Sequence, residues 1–399
     1  MNGKRGSSAV FLTMIFPALV IIALALIYGA REAILESKAD GVIGLAGDSV
    51  LSEFDNHIQK EYGLFMMKGD DRYLTEKLRD YALCSFDKEE RKKIQKLRAS
   101  GKRFAASNTE EIRSQIKEYM KYAMAQGLFE EEEKEALSEQ RPARTLRHGP
   151  TKVSLPSGAV PEKDLAARAK AAAENAASLN RAFQKGTDSY IINRYILSHF
   201  STRVSDVNEK SFFRSEAEYI LSGEYSDEDN EKKAERIIKA MRTPLNLAHI
   251  YADADKRNLV ITAAQLITPG GAAAATQLAL ASAWAYAEAD NDVRLLLDGR
   301  KVPLIKDSST WAVELDSVID KITGKTVYPE EERGYGYEGY MQMMLFLMDD
   351  ELKTARILDL IQINMRKNHY GDFLIQEYVT GIHIEAEVNG RGFGYEKKY

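Results

Sequence analysis

A single cysteine, Cys84, stands in a chain of 399 residues. That excludes an internal disulfide and any cysteine-based zinc site. A lone thiol of this kind is expected to be a buried small apolar residue, with a lipid or intermolecular link as the alternative. The familiar catalytic signatures are also missing. There is no GxGxxG, no P-loop, no GxSxG and no HExxH. The six histidines are scattered along the chain, which counts against a histidine-based active site. Nor is there an excess of positive charge. The net charge is −5, so the chain carries no electrostatic footprint for nucleic acid. No cofactor and no enzymatic activity are expected from these residues.

One long apolar run is present. No charge falls between Arg5 and Arg31, and a helix over 7–30 is long enough to cross a hydrocarbon core of roughly 30 Å. Lys4 and Arg5 precede it, and a short basic N-terminal end favours the cytoplasm. The expected localisation is therefore the cell membrane, single-pass, with a cytoplasmic N-terminus and an extracellular head. A cleaved secretory signal needs a small-x-small site just beyond the apolar core. Ala23-Leu24-Ala25 has that form but lies inside the run, so a retained anchor is expected.

Just before the run, Lys4-Arg5-Gly6 is followed by Ser7-Ser8-Ala9-Val10. This resembles a prepilin peptidase site, where the cut falls after glycine and the apolar helix stays in the product. Gly6 and Ser7 are then the processing residues. Pro17 lies eleven residues after Gly6, a spacing that resembles the TadE/TadG-like proteins of tight-adherence (Tad) pilus systems. The sequence departs at Phe11, the position where pilins usually carry glutamate. Phe11 and Pro17 are the residues expected to set helix packing in the membrane.

Beyond the membrane, Leu35, Ala39, Val42, Ala46, Val50, Phe54 and Ile58 recur every three or four residues. They predict one apolar helical stripe, interrupted by Gly41, Gly44 and Gly47, which also allow close approach of another helix. An unbroken helix is expected to reach Tyr62. Composition divides the chain into a leader (1–6), a transmembrane helix (7–30), a helical stem (31–65), a charged helical region (66–140), a proline-containing linker (141–163) and a mixed head (164–399). At 44% hydrophobic and 29% charged residues, the head reads as ordinary folded protein, not a low-complexity stalk. The charged runs 87–98 and 130–135 predict solvated helix faces, with an exposed helical hairpin as one arrangement.

Within the head, 212–221 has β-propensity and reads as a strand. Residues 227–242 and 245–251 read as two helices separated at Pro244. The uncharged stretch 258–287 is broken by Pro269-Gly270-Gly271 and is rich in alanine, which gains little from lipid transfer. Two packed helices are expected there, with a second membrane span as the alternative. Asp298-Gly299 within 295–305 signals a hairpin. Residues 333–340 read as an exposed loop, either a tyrosine binding patch (Tyr335, Tyr337, Tyr340) or mere connection. Residues 340–348 and 352–365 read as amphipathic helices, and 382–388 alternates as a strand. The fold class expected is α+β, mostly helical: a long N-terminal pilin-like helix followed by a mixed extracellular head with a small antiparallel sheet.

Three clusters invite a chemical reading. His383, Glu385 and Glu387 share one face of the last strand and could begin a metal site, but they read better as the wet face of a sheet. Asp227, Glu228 and Asp229 lack the spacing and turn glycine of a calcium loop and suit a helix N-terminus. Trp284 and Trp311 read as core aromatics.

Several stretches carry a wider likeness: Glu61-Tyr62-Gly63-Leu64-Phe65, Glu218-Tyr219-Ile220-Leu221-Ser222-Gly223, Asn246-Leu247-Ala248, Ala283-Trp284-Ala285-Tyr286-Ala287-Glu288, Leu297-Asp298-Gly299-Arg300-Lys301-Val302-Pro303-Leu304 and Asp359-Leu360-Ile361-Gln362. On these residues the chain resembles an uncharacterised Gram-positive family found with Tad pilus components. The resemblance implies a cell-surface location and a pilus context, and no reaction. The partners it implies are the lipid bilayer, other pilus or secretion-assembly subunits and a prepilin peptidase. The rival functions are a membrane-anchored extracellular enzyme, such as a metal-dependent hydrolase, and a ligand-binding surface protein.

Overall fold

The computed structural model describes residues 5–126, 141–146, 155–161, 163–174, 187–320 and 324–399. The charged run 130–135, residues 147–154 and 162 of the expected linker, and residues 175–186 lie outside the described residues. The fold is α+β and mostly helical, with small antiparallel sheets. Two compact units are present. The first comprises 1–59, 65–108 and 376–399. The second comprises 60–64 and 109–375. The last 24 residues therefore belong with the N-terminal helix and not with the rest of the expected head.

The first unit is organised by α1 (Arg5–Leu51), a single helix with Pro17 inside it. Every side chain from Phe11 to Arg31 is exposed. Burial then begins at Leu35 and continues through Ala39, Ile43, Ala46 and Val50, a three- and four-residue repeat that lays one stripe into the core. The helix stops at Leu51, short of Tyr62, and α2 (Asn56–Tyr62) is a separate short helix. Next come α3 (Asp71–Leu83), capped by Asp70, and α4 (Lys88–Lys92), opened by a capping box between Asp87 and Glu90. A two-residue strand β1 (Met67–Lys68) pairs with β3 (Tyr378–Val379). The main sheet has the order β2 (Ile94–Ser100), β4 (Gly381–Val388), β5 (Arg391–Lys398), antiparallel throughout.

Strand β2 corrects the expectation of continuous helix through 87–98. Its charges mask an alternation in which Leu97 and Ala99 point inward while Arg98 faces solvent. Lys96 is satisfied across the sheet by Glu385, at 2.6 Å. Cys84 corrects a second expectation: it is exposed, at the C-cap of α3, with its thiol directed to the Tyr81 carbonyl at 2.9 Å.

The buried stripe of α1 packs against Leu97, Ala99, Ile382, Ile384, Ala386 and Val388 of the sheet. At Gly47 helix and sheet come into close contact. A Cβ there would stand 2.6 Å from Ile384 Cδ1 and 3.3 Å from Lys397 Cγ. Gly41, by contrast, has open space around it. Gly47→Leu should therefore destabilise this unit by roughly 1–3 kcal/mol through overpacking. Gly41→Ala should stabilise the helix by up to about 1 kcal/mol. Amide hydrogen exchange of β4 and β5 measures both, and faster exchange in Gly41→Ala than in Gly47→Leu would contradict this packing.

The second unit is helical. Its elements are α5 (Thr109–Ala125), α6 (Leu165–Glu174), α7 (Thr187–His199), α8 (Glu216–Ser222), α9 (Asp227–Ala252), α10 (Ala254–Ile267), α11 (Ala273–Leu297), α12 (Leu315–Ile319), α13 (Tyr337–Leu347) and α14 (Asp350–Asn368). Helices α10 and α11 form the expected packed pair, separated at 268–272. Among the described residues, α1 alone is long and apolar enough to cross a membrane. The far end of the pair nevertheless exposes Leu266 and Ile267.

Five further expectations are corrected here. Residues 216–222 are helix, not strand: every side chain of α8 is buried, so no polar face shows the helical period. Gly223 ends it in the left-handed region, φ 69°, and a Cβ there would fall 2.4 Å from Arg356 Nη2. Helix α9 runs through Pro244 without ending, its long packing against α11 outweighing the local cost of proline. Residues 295–305 form no hairpin. Helix α11 continues to Leu297, Arg300 N–H returns to the Leu295 carbonyl at 2.8 Å, and Val302 instead pairs with Tyr335. Finally, 337–340 opens α13 and is not loop, and α14 is buried on all sides from Leu352 to Met365, not amphipathic.

Candidate functional site

Helix α1 carries the residues picked out for processing and packing. Gly6 and Ser7 lie in the first turns of α1. Phe11 is 65% exposed, and Pro17 is also exposed within the helix. A proline is tolerated in a membrane helix, where neighbouring groups re-satisfy the freed carbonyl. Above the apolar run, one side of α1 is covered by the sheet while the other stays open. Ile34 and Leu45 are 67% and 68% exposed, and Gly41 and Gly44 meet nothing within 4 Å of an added Cβ.

The sheet places His383, Glu385 and Glu387 on its outer face, with Ile382, Ile384, Ala386 and Val388 inward. His383 Nε2 lies 3.7 Å from Glu385 Oε1, and its Nδ1 lies 3.8 Å from Glu396. Lys96 donates to Glu385 and holds its carboxyl below the ordinary range. Arg103 donates to Glu396 at 2.8 Å. This is a cross-strand ladder of alternating charge. It borders an open groove of about 480 Å³ shared with Thr75 and Arg79 of α3.

In the second unit Tyr335, Tyr337 and Tyr340 form no common patch, the first of the two alternatives for 333–340. Tyr335 is exposed, but Tyr337 and Tyr340 are buried, donating to Glu218 Oε1 (2.8 Å) and to the Val302 carbonyl (3.2 Å). The acids 227–229 do open a helix, capped by Ser226. Asp227 does more: it is fully buried and accepts from the backbone N–H groups of Arg144, Arg214 and Ser215. Trp284 and Trp311 sit edge to face, 5.2 Å apart, in an apolar cluster with Ile250 and Val260.

What sequence reasoning missed is the number of buried charges. Arg242 and Asp292 are both fully buried and pair at 2.9 Å. Lys306 joins them, 2.6 Å from Asp292 Oδ1 and in contact with Glu288. Burial alone would push the Asp292 carboxyl up, but Arg242 and Lys306 more than offset this and hold it low. Glu288 accepts from the N–H groups of Ala312 and Val313, and burial pushes its carboxyl up. A second set surrounds α14. Asn364 donates to Glu216 Oε1 at 2.7 Å, and Tyr219 donates to Asp359 Oδ2 at 2.8 Å. Burial raises the carboxyls of Glu216 to about 8 and of Glu218 to about 7. Each of these side chains is consumed by a structural partner: they fasten loops and helix ends to the core. The signal in the sequence was acids set inside apolar stretches, as in Glu216-Ala217-Glu218-Tyr219-Ile220-Leu221.

The chain belongs to a family of unknown function, DUF5702. The family profile matches residues 127–390. No curated protein and no solved structure matches the chain. The DUF5702 match takes in most of the second unit together with β3 and β4. The buried charge clusters therefore lie within the DUF5702 region, while the exposed apolar part of α1 precedes it.

Proposed function

We propose that this chain is a membrane-anchored, pilin-like accessory or minor component of a Tad-type pilus or secretion assembly on the cell surface. It acts by packing its helix and head against other subunits. The observation that carries this reading is the build of α1: one helix, apolar and exposed along its first half, and buried along one side of its second half under an antiparallel sheet. The exposed half has a composition that only lipid or other apolar helices would cover. The open side of the upper half, with Ile34, Gly41 and Leu45, continues that surface and leaves room for a neighbouring helix.

The N-terminus is cytoplasmic in this reading, and a prepilin peptidase hydrolyses the peptide bond after Gly6. Ser7 then carries a free amine at the start of an apolar helix. An unpaired buried charge is expensive, so pilins compensate it with a glutamate inside the bundle. Phe11 cannot do so, and no acid occurs before Glu32. Packing many copies around one another would bury amines without partners. The protein should therefore join an assembly in few copies and form no homopolymer. Mass spectrometry of the native protein is expected to show loss of residues 1–6. An intact N-terminus would leave a generic anchor, and filaments built mainly of this chain would refute the minor-subunit role.

A further inference from the structure

Two helices of the second unit, α7 and α14, meet through four polar side chains. Ser189 and Asn193 stand one turn apart on α7, and Asp350 and Lys353 stand one turn apart on α14. Spacings of four and three put each pair on one helix face. Three of the four are shut away from water: Ser189, Asn193 and Lys353 are buried. The Asp350 side chain is 33% exposed and connects the group to solvent.

Lys353 Nζ donates to Asn193 Oδ1 at 2.8 Å and to Ser189 Oγ at 3.1 Å. It also lies 2.6 Å from Asp350 Oδ1, which accepts from Ser189 Oγ at 3.1 Å. An amine, a carboxamide and a carboxylate thus converge in the core. The carboxamide is only half used. Asn193 Nδ2 is buried with no hydrogen-bond partner among the described residues, a costly state for an amide donor. Asn193 Cγ lies one C=O bond, about 1.23 Å, behind Oδ1. The 2.8 Å contact therefore holds Nζ within about 4 Å of that carbon, a small side-chain rotation from the roughly 3–3.5 Å of a near-attack geometry.

We propose that Lys353 and Asn193 join in an intramolecular isopeptide bond, with Asp350 as the base that moves the protons. Asp350 takes one proton from the Lys353 ammonium. The neutral amine attacks Asn193 Cγ, the Nζ–Cγ bond forms, and the carbonyl electron pair moves onto Oδ1. Asp350 passes its proton to Nδ2. The electron pair returns, the Cγ–Nδ2 bond breaks, and ammonia leaves. The surplus proton on Nζ goes to Asp350 and then to the ammonia. The products are a neutral secondary amide and an ammonium ion, with nothing oxidised or reduced and no co-reactant consumed. The reaction suits its surroundings. It discharges a buried ammonium and removes the amide nitrogen that lacks a partner. It also ties together two helices at positions 160 residues apart, in a chain whose single cysteine allows no internal disulfide. All four residues belong to the second unit, so the bond is independent of the pilus and membrane readings.

The test is peptide mapping of the purified full chain by mass spectrometry. The expected product is a branched peptide that joins the segments holding Asn193 and Lys353. It should be lighter than their sum by one ammonia, about 17 Da, and uncut by trypsin at Lys353. Lys353→Arg should give no branched peptide. Asp350→Asn keeps the shape of the side chain without its basicity, and should form the bond on the order of 100-fold more slowly, read as the linked fraction against time after synthesis. Tryptophan fluorescence confirms that both variants are folded. Separate, unmodified peptides from the native chain overturn the proposal. So does Asn193 recovered as aspartate, which would make water the nucleophile, or a branched peptide that persists in Lys353→Arg, which would place the link on another amine. Undiminished linkage in Asp350→Asn overturns the proton transfer assigned to Asp350.

Discussion

Replacing Asp292 by alanine should unfold the second unit, or bring it close to unfolding. Asp292 stands between two buried cations. Its carboxylate accepts from Arg242 Nε at 2.9 Å and from Asn246 Nδ2 at 3.1 Å, and it faces Lys306 Nζ at 2.6 Å. Neither cation can reach water, since both side chains are almost wholly buried. Glu288 would still meet Lys306, but Arg242 would keep only the neutral acceptors Leu304 carbonyl and Asn246 Oδ1. Removing one partner of a buried pair typically costs about 3–5 kcal/mol. That is a large share of the roughly 5–15 kcal/mol that holds most domains together. Replacing both partners by apolar residues of similar volume, as in Arg242→Met/Asp292→Leu, should cost less than Asp292→Ala alone. The measurement is a urea titration followed by tryptophan fluorescence. Both tryptophans of the chain, Trp284 and Trp311, lie in the second unit, so the signal reports that unit alone. A midpoint for Asp292→Ala within error of the native chain would mean that the network is not a keystone.

The contrast between the two units shows what a sequence discloses. The apolar run, the stripe from Leu35 to Val50 and the strand over 382–388 were legible because each has one wet and one dry side. Hydrophobic periodicity reports that asymmetry directly. Helices α8, α13 and α14 lack it. Their side chains are covered all round, so 216–222 passed for a strand and 337–340 for an exposed loop. Strand β2 failed for the opposite reason, because a run of lysines and arginines hid the alternation of Leu97 and Ala99. The buried charges were the least legible feature. A carboxylate such as Glu218 looks like any surface acid until the donors that enclose it, the Arg203 N–H and the Tyr337 hydroxyl, arrive from 15 and 119 residues away. For the outer face of β4 the alternation alone was sufficient to place His383, Glu385 and Glu387 together.

Those enclosed carboxyls should make the second unit less stable as pH rises from about 5 to about 8.5. Burial raises Glu218 to about 7 and Glu216 to about 8 in the folded chain, while an unfolded glutamate titrates near its ordinary value of about 4.3. A raised folded-state value means that the folded state holds the proton longer. The stability it contributes is complete below the unfolded value and is lost as pH climbs through the folded one. Glu218 gives the clean case. Its Oε1 accepts from the Arg203 N–H at 2.9 Å and from the Tyr337 hydroxyl at 2.8 Å. Its Oε2 is buried with no hydrogen-bond partner and is the natural place for the proton. Glu218→Gln keeps the accepting oxygen and puts an amide where the protonated oxygen stands, so it mimics the neutral acid at every pH. The native chain should lose a few kcal/mol across this window, on the order of 3 kcal/mol for this one group. Glu218→Gln should lose less and should be the more stable protein at pH 8.5. Tryptophan-monitored melts at pH 5, 6, 7, 8 and 8.5 read both effects, at about 2 °C for each kcal/mol in a unit of this size. A melting temperature that holds or rises over the window in the native chain, or an unchanged slope in Glu218→Gln, would show that Glu218 is ionised where it is buried.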